Sequence, residues 1–215
     1  AHAGSWLLTP QGLFLSWLTF PVVKAIHELA HGLALRRWGG EVRQAGITLM
    51  MLTPIPFVDA SAASAFRPAH RRFTVSAAGI LAELTLAALA VLLWTQIQPG
   101  LVRDLALIVA TLGGLSTVVF NGNPLLRFDG YHMLSDAIDV PNLHARSSQF
   151  WRHLLLRHGL RLTDATAPVS ARGERAWLIA YAPLSWAYRA ALALIIMAWI
   201  GGWSPPVAVL VALYS

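Results

Sequence analysis

The sequence predicts an all-α fold, a polytopic bundle of about four to five transmembrane helices, and three observations carry that prediction. Of 215 residues, 56% are hydrophobic and only 12% charged, with nine tryptophans; this is too apolar for a soluble domain of that size. The apolar residues gather into four runs, each long enough to cross a hydrocarbon core of about 30 Å. Between the runs lie basic, glycine- and proline-containing stretches of the kind that join membrane helices. A net charge of +6 fits a nucleic-acid ligand when taken alone. Basic loops between apolar spans are also what membrane topology requires, so the expected partner is the lipid bilayer and not nucleic acid. The chain has no cysteine, which excludes disulfides and thiolate ligands and leaves nitrogen and oxygen donors for any metal. It opens on Ala1 without a methionine and ends on the apolar Val207 to Tyr214. It therefore reads as a fragment of a longer protein, with residues 1–215 forming a single membrane-embedded domain.

The first span is expected over Leu13 to Leu35, closed by Arg36-Arg37 and the breaker pair Gly39-Gly40. Pro21 and Lys24 interrupt it, and the proline predicts a kink. Upstream, Ser5 to Pro10 reads as interfacial, with Trp6 and Trp17 as anchors. Inside this span stands His27-Glu28-Leu29-Ala30-His31. On a helix the two histidines lie one turn apart on one face, so both imidazoles reach one ion, and Glu28 is placed beside it. Neutral imidazole is a good ligand for Zn²⁺, and a nearby carboxylate can accept a proton from a water held at the ion's open position. Two histidines placed on one helix by chance is the bland alternative. The glutamate between them argues against it, as does the cost of ionisable residues at that depth.

Glu41 to Phe57 carries β-branched residues and two prolines without a helical stripe, so it reads as an extended or hairpin-like segment. It is either a connecting loop or an edge strand beside the site that pairs with an unfolded substrate segment. The second span is expected over Phe73 to Ile97, behind the basic cluster Arg67, His70, Arg71 and Arg72, with Glu83 as its one acid. The third covers Leu101 to Phe120, where Gly113-Gly114 permits close helix packing. After it, Asn121 to Gly130 breaks the helix and delivers the Asp129 carboxylate near the membrane boundary. Residues 131–175 turn polar and form a cytosolic helical segment, in which Ser148 to Leu160 has an amphipathic pattern suited to a membrane surface. His144, His153 and His158 are expected as solvated residues there, not as a second metal site. The fourth span runs over Trp177 to Trp203 with Arg189 inside it, and Val207 to Tyr214 begins a fifth span or ends as an interfacial tail.

Charge orients these spans. The end of the first and the segment after the third must share a side, because two crossings separate them. Six arginines between positions 36 and 72 and seven between 127 and 175 fall on that side, thirteen in all, against Arg103 alone on the other. That side is the cytoplasm, and His27, His31 and Asp129 all lie towards it.

Histidine-glutamate-x-x-histidine in the first span, with N-x-x-P-x-x-x-x-D-G after the third (Asn121, Pro124, Asp129, Gly130), resembles the site-2 protease family of intramembrane zinc metalloproteases. The wording Asn123-Pro-Leu-Leu-Arg-Phe-Asp-Gly-Tyr131 is similar to the bacterial subgroup found beside membrane-fusion adaptor proteins. The resemblance implies Asp129 as third zinc ligand, Glu28 as general base, and hydrolysis of a peptide bond in or near a substrate's transmembrane segment. It implies a bacterial cytoplasmic membrane, a membrane-protein or peptide substrate, and an adaptor as a further partner. Glu83, Asn121 and Asn123 are auxiliary candidates. Where many members have Gly-Pro-x-x-Asn in the second span, this chain has Gly79-Ile80-Leu81-Ala82-Glu83. Without a cationic partner Glu83 is expected neutral, either donating a hydrogen bond to substrate or bonding another span, Arg189 being one partner. Two alternatives stand beside this reading. One is a non-proteolytic zinc-binding module that assists export or assembly of a partner. The other is a membrane zinc protease whose third ligand is a glutamate, Glu83 or Glu174.

Overall fold

The computed structural model describes residues 6–50, 52–159 and 173–203; the expected tail Val207 to Tyr214 and part of the polar segment, residues 160–172, lie outside them. Among the described residues the chain is mostly helical, 75%, with one two-stranded sheet, and four helices are long and apolar enough to cross a membrane: Pro10–Arg37, Ala69–Gln96, Leu101–Asn121 and Glu174–Ala198. The chain divides into two compact units, residues 1–139 and 140–215.

In the first unit, helix α1 (Pro10–Arg37) starts where Thr9 caps it, the hydroxyl accepting from Gly12 N–H at 3.2 Å, with Pro10 in the first turn, where its missing N–H costs nothing. It runs through Pro21 as one helix. At its end, Gly40 N–H reaches the Leu35 carbonyl and Gly39 N–H the Arg36 carbonyl, both at 3.0 Å. These paired bonds satisfy carbonyls that a helix end would otherwise leave open. The side chains are arranged inside out relative to a water-soluble helix. Leu13, Phe14, Leu18, Val22 and Leu33 are exposed, whereas His27 and His31 are buried.

The extended segment is a hairpin, β1 (Ala45–Met50) antiparallel to β2 (Thr53–Val58), with Ala45 opposite Val58 and Ile47 opposite Pro56. Asp59 N–H donates to Gln44 O at 2.8 Å, which sets the phase of the ladder. Residues 54, 56 and 58 then face their N–H groups away from β1. Two of these are Pro54 and Pro56, which lack that group, so β2 tolerates both prolines at no cost in ladder bonds. The third, Val58 N–H, donates to Glu28 Oε2 at 3.0 Å. With Trp17 Nε1 on Thr53 Oγ1 at 3.2 Å, this bond fastens the hairpin to α1.

Helix α2 (Ala69–Gln96) packs antiparallel to α1, His31 meeting Val75 and Lys24 meeting Glu83. Helix α3 (Leu101–Ala110) continues into a π-helix over Thr111–Asn121, where a uniform α-helix was expected. Such wide turns are concentrated at functional sites. Helix α4 (Asp129–Ala137) follows and packs on α2. Arg72 clamps the two, Nε to Asp136 at 2.8 Å and Nη2 to Asp139 at 2.7 Å.

In the second unit, α5 (Leu143–Leu154) packs on α6 (Glu174–Trp203). Pro183 lies inside α6, so the Ile179 carbonyl has no helical N–H to accept. Trp151 Nε1 supplies one at 2.9 Å. One residue earlier, the Ser147 hydroxyl is inserted into the ladder, accepting from Ala182 N–H at 2.9 Å and donating to Leu178 O at 2.6 Å. Part of the stretch expected on a membrane surface is thus spent on α6, Phe150 being buried and Trp151 bonded to Ile179, whereas Leu155 is exposed. His153 is buried, not solvated, and His144 meets the Tyr181 ring edge-on at 6.1 Å. The side chain of His158 lies outside the described residues.

Candidate metal centre

His27 and His31 face inward from α1 because the spacing of four that separates them is also the spacing of its buried stripe, Val23, His27, His31 and Leu35. Asp129 arrives from the start of α4. The loop that brings it folds tightly: Asn123 Oδ1 accepts from Leu125 N–H at 2.9 Å, and Gly130 comes so close to Gly122 that an added Cβ would stand 2.5 Å from its carbonyl. Only glycine permits that approach.

Three ligand atoms converge. His27 Nε2 is 3.0 Å from His31 Nε2 and 2.9 Å from Asp129 Oδ2, which lies 3.4 Å from His31 Nε2. A tetrahedral ion with bonds of about 2.0–2.1 Å spaces its ligand atoms roughly 3.3 Å apart, so the donor set fits zinc in kind and in separation.

The surroundings fix the rings. His31 Nδ1 is 2.7 Å from the Val75 carbonyl; a carbonyl only accepts, so Nδ1 carries the proton and Nε2 turns its lone pair to the centre. One turn further along α2, Gly79 forms the floor. A Cβ there would stand 2.5 Å from both His27 Cε1 and His31 Nε2.

Glu83, another turn along, is fully buried at 0% exposure. Lys24 Nζ lies 2.7 Å from its Oε1, while Oε2 accepts from the Thr117 hydroxyl and, at 3.2 Å, from Asn121 Nδ2. The same Oε2 is 3.4 Å from His27 Nδ1, a buried nitrogen that makes no hydrogen bond of its own. One expectation is corrected here: Glu83 has, in Lys24, the cationic partner whose absence was the ground for a neutral acid. It does not serve as a third ligand, because it lies behind His27; Glu174 pairs with Arg146 at 2.5 Å. Asn121 belongs to the Glu83 cluster, whereas Asn123 holds the loop. Glu28 stands beside the ligands in sequence with Oε2 bound to β2.

Sequence reasoning missed Val75 and Val58, which act through backbone groups that leave no side-chain signature, and the Thr117 hydroxyl. It also missed the pairing of Lys24 with Glu83, although the only lysine of the chain and the only acid of the second span were both visible. No protein-family model, curated protein or solved structure matches the chain.

Proposed function

We propose that the protein is an intramembrane zinc metalloprotease of the site-2 protease type, hydrolysing a peptide bond in or near a transmembrane segment of a membrane protein or peptide. The observation that carries this reading is the convergence of His27, His31 and Asp129 within 4.8 Å, although 129 − 31 = 98 positions separate the last two. Glu28 between the histidines adds the base. Its setting is a bacterial cytoplasmic membrane crossed by the four apolar helices, with the site towards the cytoplasm. The resemblance adds a membrane-fusion adaptor as a partner.

When bound, Zn²⁺ supplies Lewis acidity, polarising a carbonyl and lowering the pKa of a water to about 7. His27 and His31 present Nε2 and Asp129 presents Oδ2 for that ion. Glu28 has Oε2 held by the Val58 N–H, which leaves Oε1 to take a proton from the attacking water. The water oxygen bonds to the scissile carbonyl carbon, the C–N bond breaks, and Glu28 returns the proton to the departing nitrogen.

A substrate helix must open before this chemistry, since its carbonyls are bonded along the helix. The outer edge of β1 offers the opened segment a place. Ala45, Ile47 and Leu49 turn their N–H and C=O groups away from β2, and every residue of β1 is exposed. Beyond Val58, β2 has only prolines to offer on its outer edge.

The test is metal analysis of purified protein combined with cleavage of a transmembrane peptide by wild type and Glu28→Gln. One zinc per chain in both proteins, with cleavage lost in the variant, is the expected result. A Glu28→Gln enzyme with normal turnover removes the general base, and zinc without any proteolysis favours the export or assembly module.

A further inference from the structure

Glu83 is held more elaborately than a tie between two helices requires. Four groups surround one carboxylate: Lys24 Nζ on Oε1, and the Thr117 hydroxyl, Asn121 Nδ2 and His27 Nδ1 around Oε2. A salt bridge from Lys24 alone would join α1 to α2. The two oxygens divide their work instead, one taking the ammonium and the other being fixed by the π-helix so that it faces the imidazole.

Resting on the metal-centre reading above, we infer that the buried Glu83–Lys24 pair is a positioning device for His27, its Oε2 the acceptor that holds the Nδ1 proton and aims Nε2 at the metal. An imidazole that ligates through Nε2 carries its proton on Nδ1, and the acceptor of that proton sets both the ring's orientation and its strength as a donor. For His31 this acceptor is the Val75 carbonyl at 2.7 Å. For His27 no backbone carbonyl fills the place, and Glu83 Oε2 at 3.4 Å is what stands there. Lys24, one turn before His27 on the same helix, balances a carboxylate that would be costly to bury alone. Glu83 is not a catalytic residue. Both of its oxygens are engaged and none of its surface is exposed, so it has no atom to offer a substrate.

The experiment compares wild type, Glu83→Gln and the double variant Lys24→Met/Glu83→Leu. It measures zinc affinity by competition with a chelator, the visible spectrum of the Co²⁺-substituted protein, and thermal unfolding of the metal-free protein. Replacing a buried ion pair by apolar residues of similar volume is often neutral for stability, so the double variant should unfold like wild type. It should nonetheless bind zinc about 10–100-fold more weakly, with shifted Co²⁺ bands. Glu83→Gln, whose amide oxygen still accepts from Nδ1–H, should fall between the two. Wild-type affinity and spectrum in a stably folded double variant overturn the inference and leave the pair as a helix tie. Should the double variant not fold, Glu83→Gln decides alone, and unchanged affinity and bands overturn it. A wild type that binds no zinc fails earlier, at the metal centre itself, and takes this inference with it.

Discussion

At Gly79 two effects of one methyl group oppose each other. Alanine in a helix interior is favoured over glycine by about 1 kcal/mol, yet here its Cβ would sit 2.5 Å from atoms of both His27 and His31. Overpacking of this kind costs about 1–3 kcal/mol, so the net change in stability of Gly79→Ala should be small. The metal should respond far more, because relief requires both imidazoles to move off their shared point. We predict at least a tenfold loss of zinc affinity, measured by chelator competition, with thermal unfolding of the metal-free protein within a few degrees of wild type. Unchanged affinity would mean that the floor yields and that Gly79 is not what seats the rings. At this scale the sequence was informative about residue types and poor about partners. The spacing of His27 and His31 put both on one face, but what lies beneath that face is a missing side chain on another helix. The pairing of Lys24 with Glu83 was within reach, since two lone charges in adjacent apolar helices have few other ways to be buried.

Helix α6 runs through Pro183, and the backbone bond the proline removes is made up from α5. The Ser147 hydroxyl and Trp151 Nε1 stand four residues apart on α5 and meet the two consecutive interruptions at Leu178–Ala182 and Ile179–Pro183. Removing Ser147 leaves buried backbone without its partner, at about 1–3 kcal/mol, while the Trp151 bond is exposed and its loss should cost less. Ser147→Ala and Trp151→Phe should each lower the unfolding temperature in detergent, while zinc content stays at the wild-type level. A Trp151→Phe protein as stable as wild type would show that the Ile179 carbonyl finds another donor. Apolar periodicity identified the buried side of α5 only in part, for Phe150 is buried but so is His153, and Leu155 just beyond the helix is exposed. It could not say whether lipid or protein covers it, because both are apolar solvents for Leu143 and Phe150. The hairpin was more legible, since β-branched residues and prolines exclude a helix, and its phase yields a second test. Ile47 faces its N–H outward, as Pro54 and Pro56 do on the partner strand, so Ile47→Pro should leave the ladder and zinc binding intact. If a substrate strand adds to β1, cleavage should fall roughly five- to tenfold for the bond lost. Normal cleavage by a folded Ile47→Pro protein would exclude that edge.

For the whole molecule, the question of sidedness is one of charge. In the first unit the antiparallel packing of α1 on α2 brings Arg36 and Arg37 to the same end as Arg67, Arg71 and Arg72, and Arg72 binds Asp136 in α4 and Asp139 just beyond it. Arg103, stacked over Trp94 at 4.7 Å, marks the opposite end. From Arg72 to Gly79 the helix rises roughly 10 Å, so the candidate metal site lies about that far below the basic end. If the charge asymmetry sets the orientation as proposed, residues 131–175 lie in the cytoplasm and water reaches the site from that side. The chain has no cysteine, which makes single introduced thiols unambiguous reporters. Gln98→Cys, exposed in the turn between α2 and α3, should react with a membrane-impermeant thiol reagent added to spheroplasts. Gln149→Cys, exposed on α5, should react only after the membrane is opened. The reverse pattern would place the basic end and the metal centre towards the periplasm. The thirteen-to-one count would then have failed as a guide to orientation, while the ligand geometry would stand unchanged.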